Sequence, residues 1–544
     1  MALVLLAAVA GAQERPGISG VVTDRSGAVV RDARVSLLDA GQAVLATTRT
    51  DARGAFAFPD VATGSYLLLT RSPGLATHRT AVSLEKGLAK VDVVLDPSPL
   101  TEEVTVTANP GHVESVDAVS QPVNVIGPEA IALRGKSVLA QVANEEVGIH
   151  LQRTSPTISA IFVRGLTGNK VSVFLDGQRY STGAMRGGIN TFFNLVDPTS
   201  LEAVEVIRGP SSAQYGSDAI GGSVQLLTRT PSLAGGEREL HGNYSASFNS
   251  PDAGVGGSLA TTYSAQRFAL VGSLGGRRVS TLRAGGGTDS HHALRRFFDV
   301  DPEAVLPGGR LPDTAYTQYG GMLKANWVPT SRDSIVASYT RGQQDGGKRY
   351  DQLQGGDGNL VADLRNLMLD YATVRYDRSG LGWFDTLSLG YSFNAQREER
   401  VNQGGNGNPL AAINHEYEKT RVHGGRASLG KRWRRNSLLL GGDIYRDSVA
   451  APSFGFSPAS GAVTVRRGRV PDGVGYTDAG VFVQDVFEAV QGRLRLVGNL
   501  RWGSASYEAR AADSPIVGGR ALWPDDAEDF SSVTFRAGAV LTPD

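Results

Sequence analysis

The sequence predicts a mainly β protein in three parts: an N-terminal β-sandwich, a mixed α/β domain, and a partial antiparallel transmembrane β-barrel. Three observations carry this prediction. The 544 residues include 68 glycines but only 4 methionines, a composition that points away from a helical bundle and toward strands and long loops. Apolar and polar residues alternate in repeated short stretches, the period of a strand with two different faces. In the C-terminal half, the links between such stretches are alternately tight and long, as in barrels that cross a membrane.

Charge and composition exclude several classes. The 54 Lys+Arg balance 54 Asp+Glu, which speaks against a strongly basic nucleic-acid binder and an acidic disordered tail. Cysteine is absent, so disulfide frameworks, cysteine zinc sites and thiol catalysis are ruled out. Carboxylates are dispersed and no nucleophile, base and orienting group assemble, so no enzyme and no cofactor is expected. The adjacent His291 and His292 lie in the first long loop, where they could touch haem or a metal, but adjacent histidines in a polar loop are more often surface residues, so no metal site is expected.

The elements follow in chain order. Met1 opens into the apolar run Ala2 to Ala10, and Ala10-Gly11-Ala12 has the small-x-small pattern of a signal-peptidase site, giving a signal peptide over 1–12 and an exported chain from Gln13. The run lacks a basic n-region, so an ordinary buried apolar piece is the competing reading. It is shorter than the roughly 20 apolar residues that a transmembrane helix needs.

Residues 13–97 carry short alternating pieces, among them Ile18 and Val22, Val35 and Leu37, Phe56 and Phe58, and Val91, Val93 and Leu95, separated by turns such as Asp24-Arg25-Ser26-Gly27. That pattern describes a small β-sandwich. With GISGVVTDRSGAVVRDARV and TDARGAFAFPDVATGSYLL as landmarks, it resembles the carboxypeptidase regulatory-like domain of transthyretin fold. It has no H-x-x-E zinc pair, and His78 is its one histidine.

Residues 98–112, punctuated by Pro99, Asn109 and Pro110, contain the β-prone run Thr101 to Ala108. This is either a linker or a strand donated to a partner's sheet edge. Residues 113–232 are mixed, with extended pieces at 123–126, 158–163, 171–175, 204–207 and 223–228, and a helix expected over 137–146. Three motifs stand out: Val163-Arg164-Gly165; Leu175-Asp176-Gly177; and the run from Val204 through Glu205, Arg208-Gly209-Pro210 and Tyr215-Gly216 to Gly221-Gly222. The Asp-Gly and Arg-Gly-Pro steps are turns that need positive or fixed φ.

In this order, VRG, LDG, then EVIRGPSSAQYGSDAIGG, the sequence resembles the TonB-dependent outer-membrane receptors, whose plug domain carries these motifs. The resemblance implies a plug filling a barrel, and it makes Glu102, Glu103, Val104, Thr105, Val106, Thr107 and Ala108 the TonB box. It implies active import of a scarce nutrient across the bacterial outer membrane, foremost a ferric siderophore or other iron chelate, with haem, cobalamin or an oligosaccharide as alternatives. The implied partners are periplasmic TonB, energised by ExbB and ExbD, and outer-membrane lipid. An adhesive or structural barrel and a soluble multi-domain β enzyme are the competing classes.

By position after the motifs, the outward plug loops are expected at 152–157 and 180–190. They offer Arg153, Tyr180, Met185, Arg186 and Asn190 as ligand contacts, with Arg186 suited to an anionic chelate. Arg164 and Arg208 are expected to pair with barrel carboxylates.

Residues 237–544 are expected to form the barrel. Leu387, Leu389, Tyr391 and Phe393 alternate with Thr386, Ser388, Gly390 and Ser392, and Leu494, Leu496, Leu500 and Trp502 alternate with Arg493, Arg495, Asn499 and Arg501. Arginine on a lipid face is costly, which fixes the register. Tight links are expected near 264–267, 329–332, 377–382, 434–436 and 489–492, and long ones near 279–312, 345–364, 401–414, 450–472 and 507–529. About twelve strands result, against about 22 in plugged transporters, so the sequence reads as a C-terminally truncated fragment.

Overall fold

The computed structural model describes residues 17–542 except 40–43, 73–74, 76–77, 86, 96–103, 106–113, 116–118, 137, 156–157, 185–187, 189–191, 235–236, 284–295, 297–298, 300, 302–309, 312, 350–351, 353–358, 405–407 and 492. The expected signal peptide lies outside these, as do Glu102, Glu103, Val106, Thr107, Ala108, Met185, Arg186, Asn190, His291 and His292.

The N-terminal unit is a sandwich of two sheets. Gly17–Asp24 runs between Ala55–Pro59 and the parallel strands Leu88–Lys90 and Val93–Leu95; the facing sheet has the order Val44–Arg49, Arg34–Leu38, Gly64–Arg71, His78–Leu84. Alternate residues of both sheets, including Ile18, Val22, Val35, Leu37, Phe56, Phe58 and Leu68, meet in one buried cluster. Beyond it, Val104–Thr105 pairs antiparallel with Glu114–Ser115.

The middle unit is built on a five-stranded sheet with the order Val123–Ile126, Leu201–Arg208, Gly222–Thr228, Val171–Leu175, Gln178–Arg179, in which only Val171–Leu175 and Gly222–Thr228 run parallel. A hairpin, Ile149–Ser155 with Ile158–Val163, stands beside it. The helix expected over 137–146 is a single turn, Leu139–Val142. Chain beyond it is pinned by Glu146, which accepts from Arg134 at 2.6 Å and Asn124 at 2.9 Å. The longer helix is Pro128–Arg134, with Pro at its start and Gly135 in left-handed conformation at its end.

The C-terminal unit is a 14-stranded sheet, twelve of whose strands follow one path from Glu239–Asn249 to Asp526–Leu541, each antiparallel to the next. The expected turns fall between these strands: Gly254–Ser264 passes to Phe268–Val279, Tyr316–Thr330 to Asp333–Gly346, Val361–Leu381 to Phe384–Gln403, Ile413–Trp433 to Asn436–Ala450, and Gly475–Val490 to Leu494–Ala509 through a few residues each. At the opposite end two of the long connections carry small hairpins, Ser453–Phe456 with Val463–Arg466 and Ile516–Val517 with Arg520–Ala521.

The side-chain register is as the alternation requires. Leu389, Tyr391, Leu500 and Trp502 are 44%, 47%, 49% and 49% exposed on the outer face, while Asn499 and Arg501 are 4% and 3% exposed on the inner one. An outer face of this kind suits lipid, because the backbone polar groups of the strands between the two edge strands are paired with their neighbours. Among the described residues no helix is long and apolar enough to cross a membrane.

The middle unit sits against the inner face of this wall. Wall residues Leu364, Leu367, Leu369 and Tyr371 share its hydrophobic core with Ile126, Leu139, Ile158, Tyr180, Phe192 and Leu226. The sandwich lies at the short-turn end: Asp60 is 3.6 Å from Arg267 in a wall turn, and Arg34 pairs with Glu202 of the middle unit.

Candidate functional site

The motifs shape the turns that seat the middle unit on the wall. Leu175 and Gln178 face each other across a two-residue turn in which Asp176 and Gly177 have φ of 50° and 79°. Positive φ at both positions is the hairpin geometry that Asp-Gly favours. The turn leaves the Asp176 carboxylate free to accept from Thr228 N at 2.9 Å and Thr228 Oγ1 at 2.7 Å, and to meet the buried Lys324 ammonium of the wall at 3.1 Å. Gly222 is the second residue of the Gly-Gly step, and a Cβ there would lie 2.2 Å from the Ile207 carbonyl oxygen. Only glycine allows the two strands this approach.

Further contacts fasten the same edge. Arg179 pairs with Asp218 at 2.5 Å and with wall residue Asp478 at 3.4 Å, and its guanidinium lies 5.8 Å from the Tyr445 ring centre. Burial works against its charge, yet Asp218, Asp478 and Asp447 outweigh that and raise its pKa. The Tyr371 hydroxyl donates to the Gln178 carbonyl at 3.1 Å, and Arg426 donates to the Gly177 carbonyl at 3.2 Å while stacking near Tyr215. On the other side Asp197 meets Arg277 at 3.0 Å. Glu205 is buried in the sheet, and the Pro210 carbonyl accepts from Gln121.

Two expectations are corrected here. Among the described residues Arg164 and Arg208 reach no wall carboxylate. Arg208 donates to the Val147 carbonyl at 3.0 Å, and each guanidinium is seated over a glycine, Arg164 on Gly209 and Arg208 on Gly148, where a Cβ would crowd it. Gly165 continues the Arg164 turn with φ of 81°, and Gly216 ends the short helix Ser212–Tyr215 with φ of 92°. The second correction concerns Tyr180, which is fully buried. Its hydroxyl donates to the Phe192 carbonyl at 2.5 Å, its carbonyl accepts from Asn394 at 2.8 Å and Gln396 at 3.1 Å, and its ring packs 5.8 Å from Tyr371. Burial raises its phenol pKa far above the ordinary range. It wedges the segment against the wall and is closed to a ligand.

Arg153 is exposed on the strand Ile149–Ser155, so residues 152–155 are strand where a loop was expected. Ser155 at the hairpin tip donates to the Lys348 carbonyl at 2.8 Å, which places the tip toward the long-loop end. From Tyr180 the chain passes Gly183, whose N–H donates to Asp447 at 2.6 Å.

Just beyond, the inner face of the wall carries a charged cluster. Asn394 and Gln396 hold Tyr180, and the next inward residues of that strand, Glu398 and Arg400, follow at about 6.6 Å per residue pair. Arg400 lies 3.6 Å from Glu398 and 3.2 Å from Glu416, and Arg469 pairs with Glu418. These residues face the lumen beyond Tyr180 at the long-loop end. The period-two alternation that marks Asn394 and Gln396 as inward extends to Glu398 and Arg400, which was the available signal for them.

A TonB-dependent receptor plug domain matches residues 115–223, and a carboxypeptidase regulatory-like domain matches residues 17–96. The ferrioxamine B receptor of Salmonella typhimurium (strain SL1344) is 27% identical over 350 residues, covering 60% of this chain and 45% of the receptor. The vitamin B12 transporter BtuB of Vibrio vulnificus is 29% identical over 252 residues, covering 46% of this chain and 37% of the transporter. The chain thus spans less than half the length of these curated relatives. In fold it is similar to the copper transporter OprC, with a TM-score of 0.59 at 16% identity over 76% of this chain and 60% of that one. It is likewise similar to the unliganded ferric citrate transporter FecA, with a TM-score of 0.57 at 14% identity over 81% and 63%. A plug fastened to the inner face of a β-barrel wall is the architecture of a plugged barrel. The chain carries a TonB-dependent receptor plug domain behind a carboxypeptidase regulatory-like domain, and in sequence and fold it is similar to TonB-dependent receptors.

Proposed function

We propose that this chain contributes the plug and part of the barrel of a receptor that imports a nutrient across the bacterial outer membrane, driven by TonB with ExbB and ExbD. A ferric siderophore or other iron chelate is the ligand. The observation that carries this reading is the plug held inside the wall by Asp176, Arg179 and Asp197, with a short β-prone segment ahead of it. The outer membrane has no nucleotide energy source, so a plug fastened this firmly needs an external mechanical input to rearrange. The TonB box Glu102 to Ala108 supplies the handle by adding a strand to its partner.

The ligand docks at the long-loop end, with Arg153, Met185, Arg186 and Asn190 as its proposed plug contacts and Arg400 and Arg469 as its proposed wall contacts. Guanidiniums suit the carboxylate or catecholate oxygens of a chelate. The family is one of receptors and transporters, and the charged cluster binds without bond chemistry. The likeness to a vitamin B12 transporter keeps cobalamin as the second ligand.

The test is uptake of iron-55 as a ferric chelate by cells producing the receptor with residues 102–108 deleted. Binding to whole cells at zero energy is expected to persist while accumulation falls to the level of cells lacking the receptor. Undiminished accumulation refutes TonB-driven import.

A further inference from the structure

On the outer face of the wall, three consecutive strands carry cations that the receptor function leaves unused. In Ile413–Trp433 the outward residues from the short-turn end are Trp433, Lys431, Leu429, Ala427, Gly425, His423, Arg421 and Lys419. Trp433 is 55% exposed, as an aromatic at a membrane interface is. A bilayer is crossed by about 9–11 tilted strand residues, so His423 reaches the far interface and Arg421 and Lys419 stand just past it. The neighbouring strands agree. Leu389 and Tyr391 are exposed and apolar in Phe384–Gln403, the Tyr391 hydroxyl lies 2.8 Å from His423 Nδ1, and Arg397 is the next outward charge. In Asn436–Ala450 the exposed Ile444 is followed outward by Arg446.

Register brings the four cations together. Arg397 is directly opposite Lys419, Arg446 is opposite His423, and Arg421 lies between, opposite Ser448. Like charges facing each other across a strand pair are destabilising, and among the described residues none of the four forms an ion pair; Arg397 touches only the Met368 sulfur, at 3.5 Å. Of the carboxylates on this face, Asp370 feels the Lys419 charge, and both it and Glu399 hold nearer partners. Asp370 accepts from Arg341 at 2.5 Å and Tyr339 at 2.6 Å, and Glu399 accepts from Asn366 at 2.5 Å.

We propose that Arg397, Lys419, Arg421 and Arg446 bind the phosphates of a membrane lipid headgroup in the leaflet on the long-loop side, with its acyl chains lying on Tyr391, Leu389 and Ile444. Charge complementarity calls for a headgroup with more than one phosphate. The unbroken run from apolar belt to cations calls for a lipid rather than a free anion.

The test is native mass spectrometry of the chain in dodecyl maltoside, titrated with diphosphoryl lipid A. Phosphatidylcholine and inorganic pyrophosphate serve as comparison ligands. The parent is expected to hold lipid A selectively, and R397Q/K419Q/R421Q/R446Q to bind it at least about thirtyfold more weakly, as four surface cations facing anionic lipid imply. The single variants K419Q and R421Q are expected to lose several-fold each, which keeps the proposal testable should the fourfold variant misfold. Unchanged affinity in the single variants overturns the proposal. So does an equal loss in R434Q/R435Q, which removes two cations at the short-turn end, and so does displacement of lipid A by equimolar pyrophosphate, which would mark an anion site.

Discussion

Asp176 is held on three sides, by its own turn, by Thr228 and by Lys324 of the wall, and it is the residue on which the seating of the plug most depends. Removing it leaves a buried ammonium without its counter-charge, which costs about 3–5 kcal/mol, whereas replacing both partners by apolar groups costs much less. Urea denaturation of the detergent-solubilised chain is expected to show D176A less stable than the double variant D176A/K324M. Tyr180 makes the contrasting point. Y180F leaves the Phe192 carbonyl without its donor inside the core and is expected to destabilise by about 1–3 kcal/mol in the same assay. Its burial was invisible in sequence because it depends on Tyr371, Asn394 and Gln396, which lie far along the chain on the wall. Arg164 and Arg208 misled for a similar reason: their seats are Gly209 and Gly148, and a glycine in sequence does not announce which side chain lies over it.

Among the elements, the wall strands were the most legible. A wall of single-residue thickness has one face toward lipid and one toward the plug, so parity alone separates Leu500 and Trp502 from Asn499 and Arg501. Helices were less legible. The turn at Leu139–Val142 ends early because Glu146 is drawn to Arg134 and Asn124, while Gly127-Pro128 and Gly135 bracket the helix that periodicity missed. The shortest element carries the sharpest functional prediction. Val104–Thr105 meets Glu114–Ser115 in a two-residue register, a pairing weak enough to be exchanged for another strand. Proline cannot donate to a ladder, so V104P is expected to abolish ferric-chelate accumulation by cells while leaving chelate binding within about twofold of the parent.

At the scale of the whole molecule, the sandwich meets the short-turn end through ion pairs of Arg34 with Glu202 and Asp60 with Arg267 and across a cavity that Phe58 and Tyr66 share with Val328 and Arg332, whereas the plug is fastened to the inner face of the wall by Asp176, Arg179 and Asp197. Removal of residues 17–96 is therefore expected to leave chelate affinity, read by quenching of tryptophan fluorescence, within about threefold of the parent. A larger loss would make the sandwich part of the ligand site.

The order of strands in the plug sheet also fixes how a load travels through it. Val123–Ile126, the first strand after the two-residue pairing, is an outer edge held by four residue pairs to Leu201–Arg208, whereas the turn bearing Asp176 and the strand bearing Arg179 lie at the far edge. Tension entering from the N-terminal side would load this edge first, together with Ser120 and Gln121, which accept from Arg536 of the wall. The edge bearing Asp176 and Arg179 lies at the opposite side of the sheet from that point of entry, so the load must cross every strand of the sheet before it reaches those moorings.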